Sequence, residues 1–490
     1  MVGLGFAVGQ TKLGPIDWVV VALFLGALFA LGFSAKLKQN TVLQYLAAGR
    51  SLSLPVFVAT LVSTWYGGIL GIGESVSYFG LGTWLLLGVP YYLFGILYSL
   101  ILARRVRNEK PISIPEKFEE SFGRETALVA SGAILLLAVP AAHVLMLGVL
   151  VQVLMGWGIG VSVLVGALAG TAFLYRGGLL ADARVSILAF AMMYVGFGVM
   201  VGWCVANYPP IETWADIEPS ALLTLTGGQG WIAVASFMIL GAWTFVDPAF
   251  HQRVASAARP EVGRTGVLWS VGFWMMFDIL SISTGMYALA LSPAIAPDAS
   301  SLERLAIFPL FGSQILPDGL NALFFCGLAG TIVSAMVGYS LVSGGSLGRD
   351  IVCRALRISD EKVVNAWTRV GVAVSTLLAV GVALAVQSIV QLWYTWSGAV
   401  VGALLIPVLL SYRTKSPLRK GAVWAVSIAI SLGTSLSWMA YGLRTNNPFL
   451  EVKVMETAFS LGTLVPGLAV SATVLAIGRA FRRARGNNDG

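Results

Sequence analysis

The stretch Ser63-Thr64-Trp65-Tyr66-Gly67-Gly68 (STWYGG) lies in the middle of an apolar run, SLPVFVATLVSTWYGGILGIG, that is long enough to cross a membrane. Lipid offers no partner to backbone amides and carbonyls, so a loosened helix there is tolerated only where the bared groups line a cavity or bind something. The stretch therefore reads as a candidate binding site. Paired glycines also permit close helix packing, and that reading stays open beside the first.

The surrounding chain supplies the membrane. Of 490 residues, 57% are hydrophobic and only 11% charged, which excludes a soluble domain with a charged surface. The net charge of +8 is spread in short clusters between apolar runs rather than along one stripe, so nucleic acid is the poorer partner and a lipid bilayer the better one. Cys204, Cys326 and Cys353 are isolated and odd in number, and imply neither a disulfide framework nor a zinc site. The amino-terminal MVGLGFAVGQTKLGPIDWVV lacks a basic segment followed by a small-residue cleavage site, so the first apolar run is expected to be a retained helix.

Windows of roughly 20 apolar residues recur from 15–34 and 53–78 through 389–411, 421–441 and 455–478. The expected fold is an all-α polytopic membrane protein with about 13 transmembrane helices. Alternating the loops from an outside amino terminus leaves only Lys12, Arg304, Arg444 and Lys453 on the outer side, so the carboxyl terminus is expected in the cytoplasm. With no targeting segment in view, a bacterial inner membrane is the expected location. The loop Arg104 to Glu125 suits a short interfacial helix or a solvated connector. The outer segments Asn207 to Ser220 and Ser292 to Gln314 read equally well as a lid or as plain connectors.

A second interruption strengthens the first. FMILGAWTFVDPAFHQRVASA, Phe237 to Ala257, carries Gly241, Asp247 and Pro248 inside another spanning run, and proline there removes an amide donor and clashes with the preceding turn. The two broken helices are five apart in the count. Matching breaks in two halves point to an inverted-repeat secondary transporter with its site at the midplane.

ATLVSTWYGG, the HQRVASA ending with Gln252-Arg253, and the long run GLAGTIVSAMVGYSLVSGGSLGRDIV closing on Arg349-Asp350 together resemble the sodium:solute symporter family over nearly the whole chain. The STWYGG variant is most similar to its choline-transporter side. The resemblance implies a single transporter domain over 1–490: a preceding helix at 15–34, a first core repeat of five helices at 51–206, a second at 230–412, and two further helices at 418–480. Core helices 1 and 6 of this 5+5 inverted-repeat arrangement are the interrupted ones.

It also implies a site. A sodium ion would sit between core helices 1 and 8, on the carbonyls of Ala59, Val62 and Thr331 and the hydroxyl of Ser334. The family's adjacent hydroxyl falls on Ala335 and is missing. The family's Thr-Asp in core helix 5 falls on Val185-Ser186, so its supporting acid is expected to be absent. Sodium coupling stays ahead, with a proton-coupled or sodium-independent carrier of the same fold as the alternative.

The solute would lie against Ser63, Trp65, Tyr66, Gly67, Trp243 and Asp247, with Trp393, Tyr394 and Trp396 from core helix 10. Aromatic rings with one acid suit an amine through cation–π attraction, although the same rings also fit interface belts and helix packing. Three acids fall well inside spans, where ionisable groups are costly and usually functional. Asp247 is the sharpest, with capping of the half-helix before Pro248 as its other reading. Glu74, about 16 Å along a helix from Ser63, is expected to face the outer vestibule, and Asp278 to be a structural hydrogen-bond partner. His143 and His251 are candidate proton carriers or plain packing residues.

A transporter-like receptor is the rival of another class, disfavoured by the lack of an output domain. A channel lacks its ring of filter residues. No paired catalytic acids, nucleophile motif or metal cluster supports an enzyme.

Overall fold

In the computed structural model the described residues are 13–292, 299–413, 421–444, 450–454 and 457–486. They fold almost entirely into helices. Nine are long and apolar enough to cross a membrane, ten with one bent pair counted as a span, and three shorter apolar helices complete the set among the described residues. Each of the apolar windows meets one of these helices.

Helix α1 (Pro15–Ser34) begins at a proline that needs no amide partner. Asp17 in its first turn accepts from the Gly14 amide at 3.1 Å and, across the fold, from the amides of Gly319 and Ala322 at 2.7 and 3.1 Å. One buried carboxylate thus caps two helices. The STWYGG run forms α2 (Leu54–Trp65) and α3 (Ile69–Phe79), joined by one tighter turn at Tyr66–Gly68. Then come α4 (Trp84–Glu109), α5 (Ile114–Phe122), α6 (Arg124–Ala138), α7 (Ala141–Met155), α8 (Ile159–Thr171) and α9 (Leu174–Asn207).

The second half runs through α10 (Trp231–Leu240), α11 (Pro248–Ser256), α12 (Pro260–Leu291), α13 (Ser301–Leu305), α14 (Ile307–Ile315), α15 (Leu320–Leu356), α16 (Glu361–Ala385), α17 (Gly398–Ser411), α18 (Val423–Arg444) and α19 (Leu464–Gly486). The most apolar window of α15 is 89% buried, against 28% for those of α1 and α18. The core is therefore built around α15, with α1 and α18 at the periphery.

Small residues allow that centre to be dense. A β-carbon on Gly196 of α9 would come within 2.7 Å of the Leu323 carbonyl, and one on Gly327 within 2.9 Å of the Met192 carbonyl. The lipid face carries Leu23, Trp269, Ile279 and Leu377 instead.

The side bearing most of the basic residues is tied by ion pairs. Helix α5 forms where the connector loop was open to either reading, and buries Ile114, Phe118 and Phe122. Its Glu116 and Glu119 meet Arg349 and Arg354 of α15 at 2.7 and 2.8 Å, and Asp350 bridges both arginines at 3.2 Å. On the opposite side α13 and α14, within the Ser292 to Gln314 segment, pack over the end of α3. Arg304 donates to Ser77 at 3.1 Å and stands over the Tyr78 ring. Residues 293–298 of that segment and Lys12 lie outside the described residues.

Several boundaries differ from expectation, two of them with consequences for the fold. Leu450–Val454 and Thr457–Leu461 pair antiparallel as two short strands, so the last helix starts at Leu464 rather than 455. Helix α9 starts at Leu174 rather than 184, running on through a kink at Gly178, whose φ of +51° suits glycine.

Candidate functional site

Residues of both breaks line one cavity. At the first, the helix changes to a 3-10 turn instead of opening widely: the Tyr66 amide reaches the Val62 carbonyl, and the Ser63 hydroxyl reaches the Ala59 carbonyl at 2.8 Å. The glycines are there for approach. A β-carbon on Gly67 would collide with the β-carbon of Ala335, and one on Gly68 with the indole of Trp393. At the second, Gly241–Phe245 forms another 3-10 turn and α11 leaves at 41° to the preceding segment.

Below the first break, hydroxyls from three helices converge. Ser334 Oγ of α15 lies 2.8 Å from both Ser63 Oγ of α2 and Ser186 Oγ of α9, all fully buried. Thr331 bonds back to the Leu328 carbonyl at 2.8 Å, within its own helix. The acid expected to be absent is present one turn earlier: Asp182 Oδ1 accepts from Ser186 at 3.4 Å. Arg253 of α11 donates to its Oδ2 at 2.9 Å and to Thr64 Oγ1 at 2.6 Å, with no part of the pair exposed. Sequence reading passed over Asp182 because it lay between two apolar windows. The longer α9 brings it into the core.

Asp247 caps α11 by accepting from the Phe250 amide at 2.7 Å, and its other oxygen accepts from Tyr339 at 2.6 Å. It does not line the cavity described next, and neither do Ser63 and Gly67. Glu74 is also displaced from expectation. Rather than facing a vestibule it is fully buried, accepting from Ser388 at 2.7 Å and from the amides of Ile389 and Val390 at 3.0 and 3.2 Å. It caps the turn leading into the Trp393 segment.

A cavity of about 300 Å³ opens between the breaks. Trp65, Tyr66, Trp243, Trp393 and Trp396 line it, joined by Tyr91, Tyr92, His143 and Asp278. Tyr394's side chain lies outside the described residues. Trp65 meets Tyr91 edge-on at 4.8 Å, and His143 stacks on Tyr339 at 5.1 Å. His251 instead sits beside the Asp247 carbonyl at 3.2 Å and against Tyr98. The wall includes a third interruption, between α6 and α7, where Val139, Ala141 and His143 line the cavity. Its signal was Pro140 within an apolar run. Asp278, expected to be structural, receives a hydrogen bond from the Tyr92 hydroxyl and also faces this space.

The family model of the sodium:solute symporters matches residues 45–429, spanning both breaks and the cavity wall. The chain belongs to the sodium:solute symporter family. Members of that family are solute symporters by its description.

Relatives of this chain include the high affinity choline transporter 1 of Homo sapiens, 24% identical over 388 residues, covering 74% of this chain and 66% of the human protein. The choline transporter of Drosophila melanogaster is 22% identical over 477 residues, covering 91% of this chain and 77% of that protein. The chain thus spans just under two thirds of its human relative. Among solved structures, a Na+-coupled sialic acid symporter in its substrate-bound outward-open state superposes with a TM-score of 0.73 at 14% identity, over 94% of this chain and 97% of that one. The inward-facing conformation of Mhp1 gives 0.50 at 15% identity, over 92% and 95%. These likenesses show the fold.

Proposed function

We propose that this symporter carries a small polar organic solute, of the amine class, by alternating access coupled to sodium. The observation that carries the reading is that residues of both helix breaks line one aromatic cavity, while a buried oxygen cluster forms at Ser63, next in the chain to the cavity-lining Thr64. Two relatives are choline transporters, and rings such as Trp65, Trp243 and Trp393 hold cations by their faces.

Sodium is the co-substrate in this reading. A hard cation takes oxygen ligands, and the hydroxyls of Ser63, Ser186 and Ser334 with the Asp182 carboxylate form such a donor set. The carbonyls of Ala59, Val62 and Thr331 would complete it. Ala335 contributes no oxygen, and its β-carbon stands against Gly67 instead. Ion binding there would draw α2, α9 and α15 together, and solute binding would engage both broken helices. Rocking of the first and sixth core helices with their neighbours then exposes the site to each side in turn. The amino terminus would be outside and the carboxyl terminus in the cytoplasm, in a bacterial inner membrane.

The test is uptake of radiolabelled choline and ethanolamine into proteoliposomes holding the purified chain. A sodium gradient should drive accumulation of at least one. Accumulation under a proton gradient alone would move the protein to the sodium-independent reading, and binding without accumulation to the receptor reading.

A further inference from the structure

Buried carboxylates inside spans need compensation. Asp182 has Arg253, Glu74 has two amides and a hydroxyl, and Asp247 has an amide and Tyr339. Asp278 differs. Its carboxylate accepts from the Tyr92 hydroxyl and has the Tyr66 hydroxyl beside it, but it has no ion pair among the described residues, is 4% exposed, and faces the cavity. Room is kept for it at Gly88, where a β-carbon would come within 2.6 Å of Asp278 Oδ2.

The same wall carries further unused polar atoms. Thr83 Oγ1, His143 Nδ1 and Trp243 Nε1 are buried without a hydrogen-bond partner, and all three residues line the cavity. An unpaired buried donor costs roughly 1–3 kcal/mol, so a ligand that satisfies it gains what the empty site forgoes. An indole N–H only donates. The cavity therefore presents one carboxylate that has hydroxyl partners but no counter-cation, and at least one donor that needs an acceptor, in a wall that is otherwise mostly aromatic and aliphatic.

We propose that the solute is a small bipolar amine whose ammonium N–H donates to Asp278 and whose oxygen accepts from Trp243 Nε1. This rests on the reading of the cavity as the solute site and sharpens it. Asp278 and Trp243 are the specificity-determining residues. A trimethylammonium group has no N–H to give and is held by ring faces alone, whereas a protonated amine with at least one N–H forms a charge-assisted hydrogen bond. The preference should therefore run opposite to that of a quaternary-ammonium carrier.

The experiment is calorimetric binding to the purified full-length chain of ethanolamine, N-methylethanolamine, N,N-dimethylethanolamine and choline. These share one hydroxyl and lose N–H groups in steps; ethylamine controls for the hydroxyl. Loss of the last N–H should weaken binding by about tenfold or more, the scale of a missing charged hydrogen bond. Asp278→Asn should abolish the dependence on N–H count, and Trp243→Phe should abolish the preference for ethanolamine over ethylamine. Choline binding most tightly, with its rank unchanged in Asp278→Asn, would overturn the inference while leaving an amine transporter standing. Failure of all five ligands to bind a chain that still shows its sodium-dependent thermal shift would remove the amine reading as well. If Asp278→Asn does not fold, the native series and Trp243→Phe still decide.

Discussion

Asp182 Oδ2 lies 2.9 Å from Arg253 Nη2, with neither side chain exposed, and the arginine also reaches Thr64 beside the first helix break. Three helices are locked by one ion pair. Removing one member leaves the other charge buried, at a cost of about 3–5 kcal/mol. Asp182→Asn and Arg253→Met should each destabilise on that scale, and the double variant should regain much of the loss. Denaturant unfolding in detergent reads both; strictly additive losses would show that the residues do not act as a pair.

Ser334 is the hub of the hydroxyl cluster, bonded to Ser63 and Ser186. Sodium that binds only the folded state raises its stability, so thermal unfolding should show a saturable rise in sodium and none in potassium at equal ionic strength. Ser334→Ala should weaken that response by about tenfold, the worth of one lost ligand bond. Ala335→Ser, supplying the missing oxygen, should strengthen it. A sodium response untouched by Ser334→Ala places the ion elsewhere.

Gly67 and Gly68 are predicted to be intolerant of even a methyl group, since Ala335 and Trp393 fill the space. Overpacking costs about 1–3 kcal/mol. Gly67→Ala should lower the unfolding temperature and abolish uptake, whereas Gly67→Ala with Ala335→Gly should restore part of the stability.

On the basic side, burial by itself would raise the Glu116 carboxyl, but Arg349 beside it and the Ile112 amide hold it below its ordinary value of 4.5. A depressed carboxyl stabilises the fold fully above that ordinary value and loses its contribution as pH falls through the lowered one. Stability should thus decline on acidification below about pH 4.5. Glu116→Gln should be less stable near neutrality and show a shallower acid decline, read as unfolding temperature against pH; an unchanged slope would refute the contribution of Glu116.

The apolar windows and both loosened helices could be read from the chain because each is local. A spanning length needs a run of apolar residues, and a loosened turn in lipid needs glycine, proline or a cap within a few positions, as at Tyr66–Gly68 and Asp247-Pro248. Trp65 and Trp243 stand at those turns in the sequence, whereas Trp393 and Trp396 were reached only through the resemblance to the family.

The partners did not follow. Ser63 and Ser334 are 271 positions apart, and Asp182 and Arg253 are 71 apart. Nothing local distinguishes a hydroxyl that meets another helix from one that bonds to its own preceding turn, as Thr331 does. The two acids Asp247 and Asp278 show the same division. Each was visible as a charge within a span, but only the rotation of each helix against its neighbours decided that Asp247 meets Tyr339 and an amide while Asp278 faces the cavity. Intramembrane position is written in composition along one chain segment, whereas orientation is set by the packing of several segments around α15.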